Sequence, residues 1–317
     1  MVILAYQHGV YPRSESLVAA TRDLDRGRTT EEAVAARFDE DLQEFVEVQK
    51  TAGLAFYSDG LLRWPDLFRP LVRACRGLQI GALTRWFDNN TFFRAPEARG
   101  DITFDGALPL EFGAAPAVPS PRVATLPSPY LLSRVAVFEG SRNQLMVELS
   151  RNLIRPLAER LVQEGYGLIQ MQEPWIAFHG IDVHDWRALE ESVGAVTEGL
   201  AATTVFHTYF GNGAPFAERL RELPVDAIGF DCIETDVDDL GSNWDRGILL
   251  GCIDGRRSLV EPVGSLTALV ERVAERLQPG RLFLSSASDL ELLPRELARR
   301  KVLLLGEAAA CLRERLS

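Results

Sequence analysis

Short apolar runs alternate with longer stretches in which hydrophobic residues return every third or fourth position, and this alternation governs the chain from end to end. Eight runs read as strands: Val2–Gln7, Leu54–Ser58, Arg122–Leu126, Leu168–Gln172, Thr203–Tyr209, Ala227–Cys232, Gly247–Ile253 and Arg281–Ser286. Several are hydrophobic almost without interruption, the pattern of strands covered on both faces in a parallel sheet. Helical spacing fills the intervals between them. Thr29-Thr30-Glu31-Glu32 opens one helix with a capping pattern, after which Val34, Phe38, Leu42, Phe45 and Val46 recur at helical spacing. Residues 141–164, 183–202, 215–223, 265–277 and 293–316 behave likewise. Eight strands with mostly helical crossovers predict an α/β fold, a single (β/α)8 TIM barrel over residues 1–317, with its functional residues at the C-terminal strand ends.

One connection breaks the rhythm. Residues 76–121 are long for a crossover, and the turn signals from Arg94 to Phe112 predict a β-hairpin insertion after the second strand, returning through a Pro/Ala-rich loop over 114–121.

Composition then narrows the class. With 317 residues, 46% hydrophobic and 25% charged, the chain can bury a sizeable core. No apolar run reaches the roughly 18 residues that span a bilayer, and the opening run breaks at Gln7-His8-Gly9 with no basic residues before it. The expectation is a cytoplasmic protein. A net charge of −11 argues against a general binder of nucleic acid or membrane and leaves a small-molecule substrate as the expected partner. The four cysteines, Cys75, Cys232, Cys252 and Cys311, show no C-x-x-C spacing and read as free buried thiols.

Candidate chemistry gathers at the strand ends and in the long connection. Thr84-Arg85-Trp86-Phe87-Asp88-Asn89-Asn90-Thr91-Phe92-Phe93 mixes aromatics, amides, a cation and an acid, which suits neither a core strand nor a solvated loop. Trp86 and its phenylalanine neighbours offer stacking faces, and Asn89 and Asn90 offer amide hydrogen bonds. Glu173, set between an apolar strand and Pro174, must be paired or hydrogen-bonded. His207 and Asp231 end the fifth and sixth runs, and a histidine near neutral pKa beside carboxylates suits proton transfer. Asp59 and Ser14 also suit plain helix caps.

These segments resemble, in order along nearly the whole chain, the cobalamin-independent methionine synthase family. Thr84–Phe93 is similar to the family's Thr-Lys-Trp-Phe-Asp/Asn-Thr-Asn-Tyr segment, and Gly9-Val10-Tyr11-Pro12-Arg13 to its Gly-Phe/Tyr-Pro-Arg turn. Ile169-Gln170-Met171-Gln172-Glu173-Pro174 resembles Gln-Ile/Val-Asp-Glu-Pro, Cys252–Arg256 echoes Asp/Asn-Gly-Arg, and Ser285–Ser288 echoes Ser-Ser-Cys-Ser. Thr208-Tyr209-Phe210 is the mark of the family's N-terminal barrel. The resemblance implies a methyltransferase, or a component of one, that takes part in methionine biosynthesis. It would bind a methyltetrahydrofolate-type donor for transfer to homocysteine or another thiol.

The resemblance also implies roles for single residues. Arg13, Asp59, Arg85, Trp86, Asn89 and Tyr209 would bind substrate, and His207, Asp231 and Glu173 would carry the chemistry. The family's zinc ligands, in the pattern His-x-Cys, Glu and Cys, fall on His207 and Tyr209, Asp231, and Ser288, so His207 and Asp231 are the metal candidates and both thiolates are replaced. A lone N-type barrel is accordingly expected to work with a separate zinc-bearing subunit. Two readings stay open beside this one: an independent barrel enzyme using His207, Asp231 and Glu173 in acid–base work on a small polar substrate, and a binding barrel without chemistry.

Overall fold

The computed structural model describes residues 1–316. Its centre is a seven-stranded, wholly parallel sheet built from β1 (Val2–Ala5), β4 (Arg122–Pro127), β5 (Tyr166–Glu173), β6 (Thr203–Thr208), β7 (Ala227–Asp231), β8 (Gly247–Ile253) and β9 (Arg281–Ser286), in the order β1-β9-β8-β7-β6-β5-β4. Helices cover its outer face, so the architecture is an α/β fold of the TIM-barrel kind. The expected second strand, Leu54–Ser58, is not a ladder strand. It bridges β1 and β4 at two points, Phe56 beside Tyr6 and Tyr57 beside Arg122. Beyond those bridges, the backbone N–H and C=O of Ser58 are both taken at 2.9 Å by the side-chain amide of Gln49, from the preceding helix Glu31–Thr51. An amide side chain thus replaces a strand neighbour, and the ladder cannot continue.

The period-2 geometry of the strands stacks the interior in layers. The lowest is apolar and draws one side chain from each strand: Tyr6, Val123, Leu168, Val205, Ala227, Leu249 and Phe283, with Phe56 packed against them. Two residues further along, the same inward positions hold His8, Thr125, Gln170, His207, Gly229, Gly251 and Ser285, so the barrel passes abruptly from an apolar plug to a polar layer. Gly229 is required by His207: a Cβ there would stand 2.7 Å from the imidazole Cδ2.

β2 (Cys75–Arg85) and β3 (Phe92–Phe104) pair antiparallel as a two-stranded ribbon, with Arg85 opposite Phe92. The expected hairpin over Arg94–Phe112 is therefore displaced toward the N-terminus. The aromatic segment supplies the end of one arm, the tip and the start of the other. The expected helix over 141–164 is interrupted by a π-helical turn at Ser150–Ile154 between Arg142–Leu149 and Arg155–Gln163. The last helix, Arg295–Leu316, crosses Glu31–Thr51 so closely that a Cβ on Gly306 would lie 1.9 Å from the Ala52 carbonyl oxygen. Among the described residues, no helix is long and apolar enough to cross a membrane.

Candidate functional site

The polar layer is a connected network with assignable protons. His8 Nε2 lies 3.0 Å from the Ser286 carbonyl oxygen, which only accepts, so the proton sits on Nε2 and Nδ1 receives the Gln172 amide at 3.3 Å. That amide also donates to Asp289 Oδ1 at 3.0 Å, while its oxygen accepts the Tyr209 hydroxyl at 3.1 Å. On the far side, Tyr6 donates to Gln170 Oε1 at 2.6 Å, and Gln170 Nε2 faces His207 Nδ1 at 3.2 Å. The two imidazoles meet edge to face with ring centroids 5.0 Å apart. Burial holds His8 at about 4, and burial followed by the charge of His8 holds His207 far below the ordinary imidazole value. Both rings are neutral near pH 7. His207 therefore keeps its proton on Nε2, a buried donor without a partner.

Asp289 joins this network to the surface. Its Oδ1 accepts from Gln172 and from the Val10 N–H at 2.9 Å, a contact made possible by Gly9, whose φ is +69° and whose Cβ, if present, would fall 1.7 Å from that oxygen. Asp289 lines a cleft of about 690 Å³ with Tyr11, Arg13, Trp64, Trp86, Phe92 and Glu291. Tyr11 and Trp64 are each 1% exposed, and the Tyr11 hydroxyl and Trp64 Nε1 have no partner. Arg13 donates through Nε to the Leu62 carbonyl at 2.7 Å and through Nη2 to that of Trp64 at 2.6 Å, which fixes its guanidinium at the wall. Glu291 is open to the cleft yet closely walled. Lost water, and then the charge of Asp289, raises its carboxyl to about 7 against the pull of Arg13.

The hairpin tip covers the mouth between this cleft and a second hollow. Trp86 packs on Phe68, Phe87 and Phe93, and Phe87 touches Trp175, Phe178, His179 and Phe210. Phe87 and Phe210 both take positive φ, +48° and +65°, costly for bulky side chains and held only where surroundings enforce it. Asp88 pairs with Arg256 at 2.7 Å, and the Arg256 guanidinium sits 5.2 Å from the Phe210 ring centre. The second hollow, about 420 Å³, is bordered by Asp88, Phe210, Asp231, Asp254, Arg256 and Ser288.

The expected site residues are distributed among these places. Arg13 and Trp86 line the larger cleft, and Asp231 the smaller hollow. Arg85 stays in the tip, its Nε donating to the Asn89 carbonyl at 2.9 Å, and Asn89 is buried with Nδ2 unpartnered. Tyr209 belongs to the interior network. Asp59 is buried beyond the Leu54–Ser58 segment, accepts the Leu61 N–H at 2.9 Å and is raised by burial to about 6. Glu173 is fully buried and ties together two helix starts, accepting from Leu131 N–H at 3.0 Å, from Ile176 N–H at 3.1 Å and from the Ser128 hydroxyl. Neither Glu173 nor His207 borders either opening. His8, Asp289 and Glu291 were not singled out from the sequence; the polar residues that end the first and last apolar runs were the available signal.

The donor set decides whether zinc fits. Both Asp231 oxygens are taken by backbone N–H groups, Phe210 at 3.2 Å and Ile233 at 2.9 Å, and burial raises this carboxyl to about 6. Tyr209 is committed to Gln172, and the Ser288 hydroxyl reaches the Asp289 carbonyl at 3.4 Å. Among the described residues, no three His, Cys, Asp or Glu side chains come together as a ligand set. These residues do not fit a thiolate-rich zinc centre.

A family model described as cobalamin-independent synthase, N-terminal domain, matches residues 66–278. The methionine synthase of Sulfolobus acidocaldarius is 24% identical over 316 residues, covering 97% of this chain and 91% of that protein. The methionine synthase of Sulfurisphaera tokodaii is 23% identical, with 97% and 92% covered. Among solved structures, a B12-independent methionine synthase from Shewanella sp. W3-18-1 in complex with selenomethionine superposes with a TM-score of 0.76 at 16% identity, covering 99% of this chain and 98% of that one. At that identity, the likeness carries the fold alone.

Proposed function

Since the chain belongs to the family of cobalamin-independent synthase N-terminal domains, we propose that it is a methyltransferase component of the methionine synthase type, holding a methylated folate-like donor for transfer to homocysteine or another thiol. The observation that carries this reading is the 690 Å³ cleft in which Arg13 and Trp86, far apart in sequence, stand beside buried polar groups without partners. Its size suits a ring-and-tail ligand, for such sites run from about 300 to 1,000 Å³. Trp86 and Phe92 offer faces for the ring, and Arg13 offers charge to an acidic tail. Arg85 and Asn89 would act by bracing the tip that carries Trp86, and Tyr209 from behind through Gln172, which holds Asp289; Asp59 lies away from this cleft. In the transfer, a sulfur–carbon bond forms as the donor's nitrogen–carbon bond breaks, and the proton given up by the thiol ends on that nitrogen.

The thiolate would come from a zinc-bearing partner subunit of the C-terminal type, because this chain's own donors do not fit the metal. We read residues 1–317 as one closed eight-fold barrel, Leu54–Ser58 being the eighth member and 76–121 its insertion. The independent acid–base reading needs His207 and Glu173 beside a ligand, whereas both are fully buried and away from the two openings. Titration with a methyltetrahydrofolate polyglutamate, followed by tryptophan fluorescence, tests the proposal. Saturable binding, by the chain alone or mixed with a zinc-bearing subunit, is expected and weakens in Arg13→Ala and Trp86→Ala; no binding in either setting overturns it.

A further inference from the structure

The geometry points to Asp289 and Glu291 as the specificity-determining pair of the larger cleft, recognising a nitrogen group that offers two N–H donors side by side, the amidine-like edge of an aminopyrimidinone ring. The inference rests on the proposed folate-like donor and names the part of that ligand which the acids meet. Both hydrogen bonds accepted by the Asp289 carboxylate fall on Oδ1, so Oδ2 is available to a ligand. Glu291 makes no hydrogen bond among the described residues, and its charged neighbours are Asp289 and Arg13. Arg13 cannot swing over to neutralise the pair, since two of its nitrogens are committed to the Leu62 and Trp64 carbonyls. Asp289 is buried with Oδ2 uncommitted and Glu291 stands exposed on the same cleft wall, so a ligand bearing paired N–H groups can bridge the two carboxyls.

The rest of the cleft selects among such ligands. A simple alkylammonium would leave the exposed Phe92 ring uncovered, whereas a flat heterocycle stacks on it beside the edges of Trp86 and Phe93. The acceptors of this cleft therefore match a ring that carries N–H donors on one edge. Asp289 is also held from behind: Gln172 fixes it to His8 and Tyr209, and Gly9 leaves room for its Oδ1. This rigid backing is what fine discrimination requires.

The experiment compares the full-length chain with Asp289→Asn and Glu291→Gln, both of which keep an acceptor oxygen, after confirming that their thermal unfolding matches the parent. Three probes are titrated: a methyltetrahydrofolate polyglutamate, 2-amino-4-oxo-6-methyltetrahydropteridine, and the same ring with hydrogen in place of the 2-amino group. The parent is expected to prefer the amino ring over the desamino ring, and each substitution to weaken binding of the amino ring by about tenfold or more while abolishing that preference. Equal folate affinity in parent and variants would overturn the inference and leave the donor reading standing. Binding of the amino ring without any folate binding would uphold the inference and remove the donor reading. Failure of the parent to bind either ring up to millimolar concentrations would overturn the inference outright.

Discussion

Glu173 shows how much one carboxylate can do away from any ligand. It accepts from the first turns of two helices, Pro129–Val135 and Pro174–His179, and so fixes how β4 and β5 each pass into the helix beyond. Burial, only partly offset by bonds to Ser128, Ile176 and Leu131, raises its carboxyl to about 7. A carboxyl raised by folding favours the folded state below its unfolded value, near 4.5, and that contribution is lost as pH rises through about 7. Urea unfolding of the wild type and Glu173→Gln will therefore diverge with pH. Between about pH 5 and 8 the wild type loses on the order of 2 kcal/mol relative to the variant, and parallel pH profiles would contradict this. The sequence marked Glu173 as a buried acid needing partners, and it is one. It could not show that those partners are backbone N–H groups, because the way a strand-end side chain turns depends on neighbours brought in from other strands. The same blindness hid Asp289, whose partners Val10 and Gln172 come from the turn after the first apolar run and from β5.

Among the elements, strands buried on both faces were the most legible. Runs such as Leu168–Gln172 and Gly247–Ile253 are apolar regardless of which face is inward, so their pattern survives without knowledge of the fold. The hairpin was legible as an insertion but not in its limits. β2 is exposed along most of its length, so nothing in its polarity announces a strand, and its pairing with β3 is set by backbone bonds instead. Its tip is a separable element, pinned by the Asp88–Arg256 ion pair, by the Arg256 stack on Phe210, and by Phe87 among four aromatic rings. Arg256→Ala removes the first two. An exposed ion pair and a cation–π contact together contribute about 1–2 kcal/mol, so amide exchange over residues 86–91 will quicken roughly tenfold while the sheet keeps its protection. Unchanged exchange at the tip would show that Phe87 alone holds it.

At the scale of the whole molecule, the interior is graded: an apolar layer, a polar layer with two neutral imidazoles, then a mouth divided by the hairpin tip into two hollows of unlike lining. Strand order and layering arise from period-2 patterning that can be traced along the chain. The division of the mouth does not, since it comes from contacts between residues as distant as Asp88 and Arg256. The closed ring proposed for this chain is uneven. Seven members share full ladders, whereas Leu54–Ser58 is joined by two bridges and by the borrowed amide of Gln49. A hoop with one thin stave has a seam, and thermal agitation will part it there before anywhere else. The amides of Ala55 and Tyr57 will then trade their hydrogens through small openings, while those inside β5 to β8 wait for global unfolding, an ordering that native-state exchange can read directly. Uniform protection around the ring would show the seam to be as tight as the ladders. If it does part, Asp59, lying just past its end, is the first buried carboxyl to feel the slack.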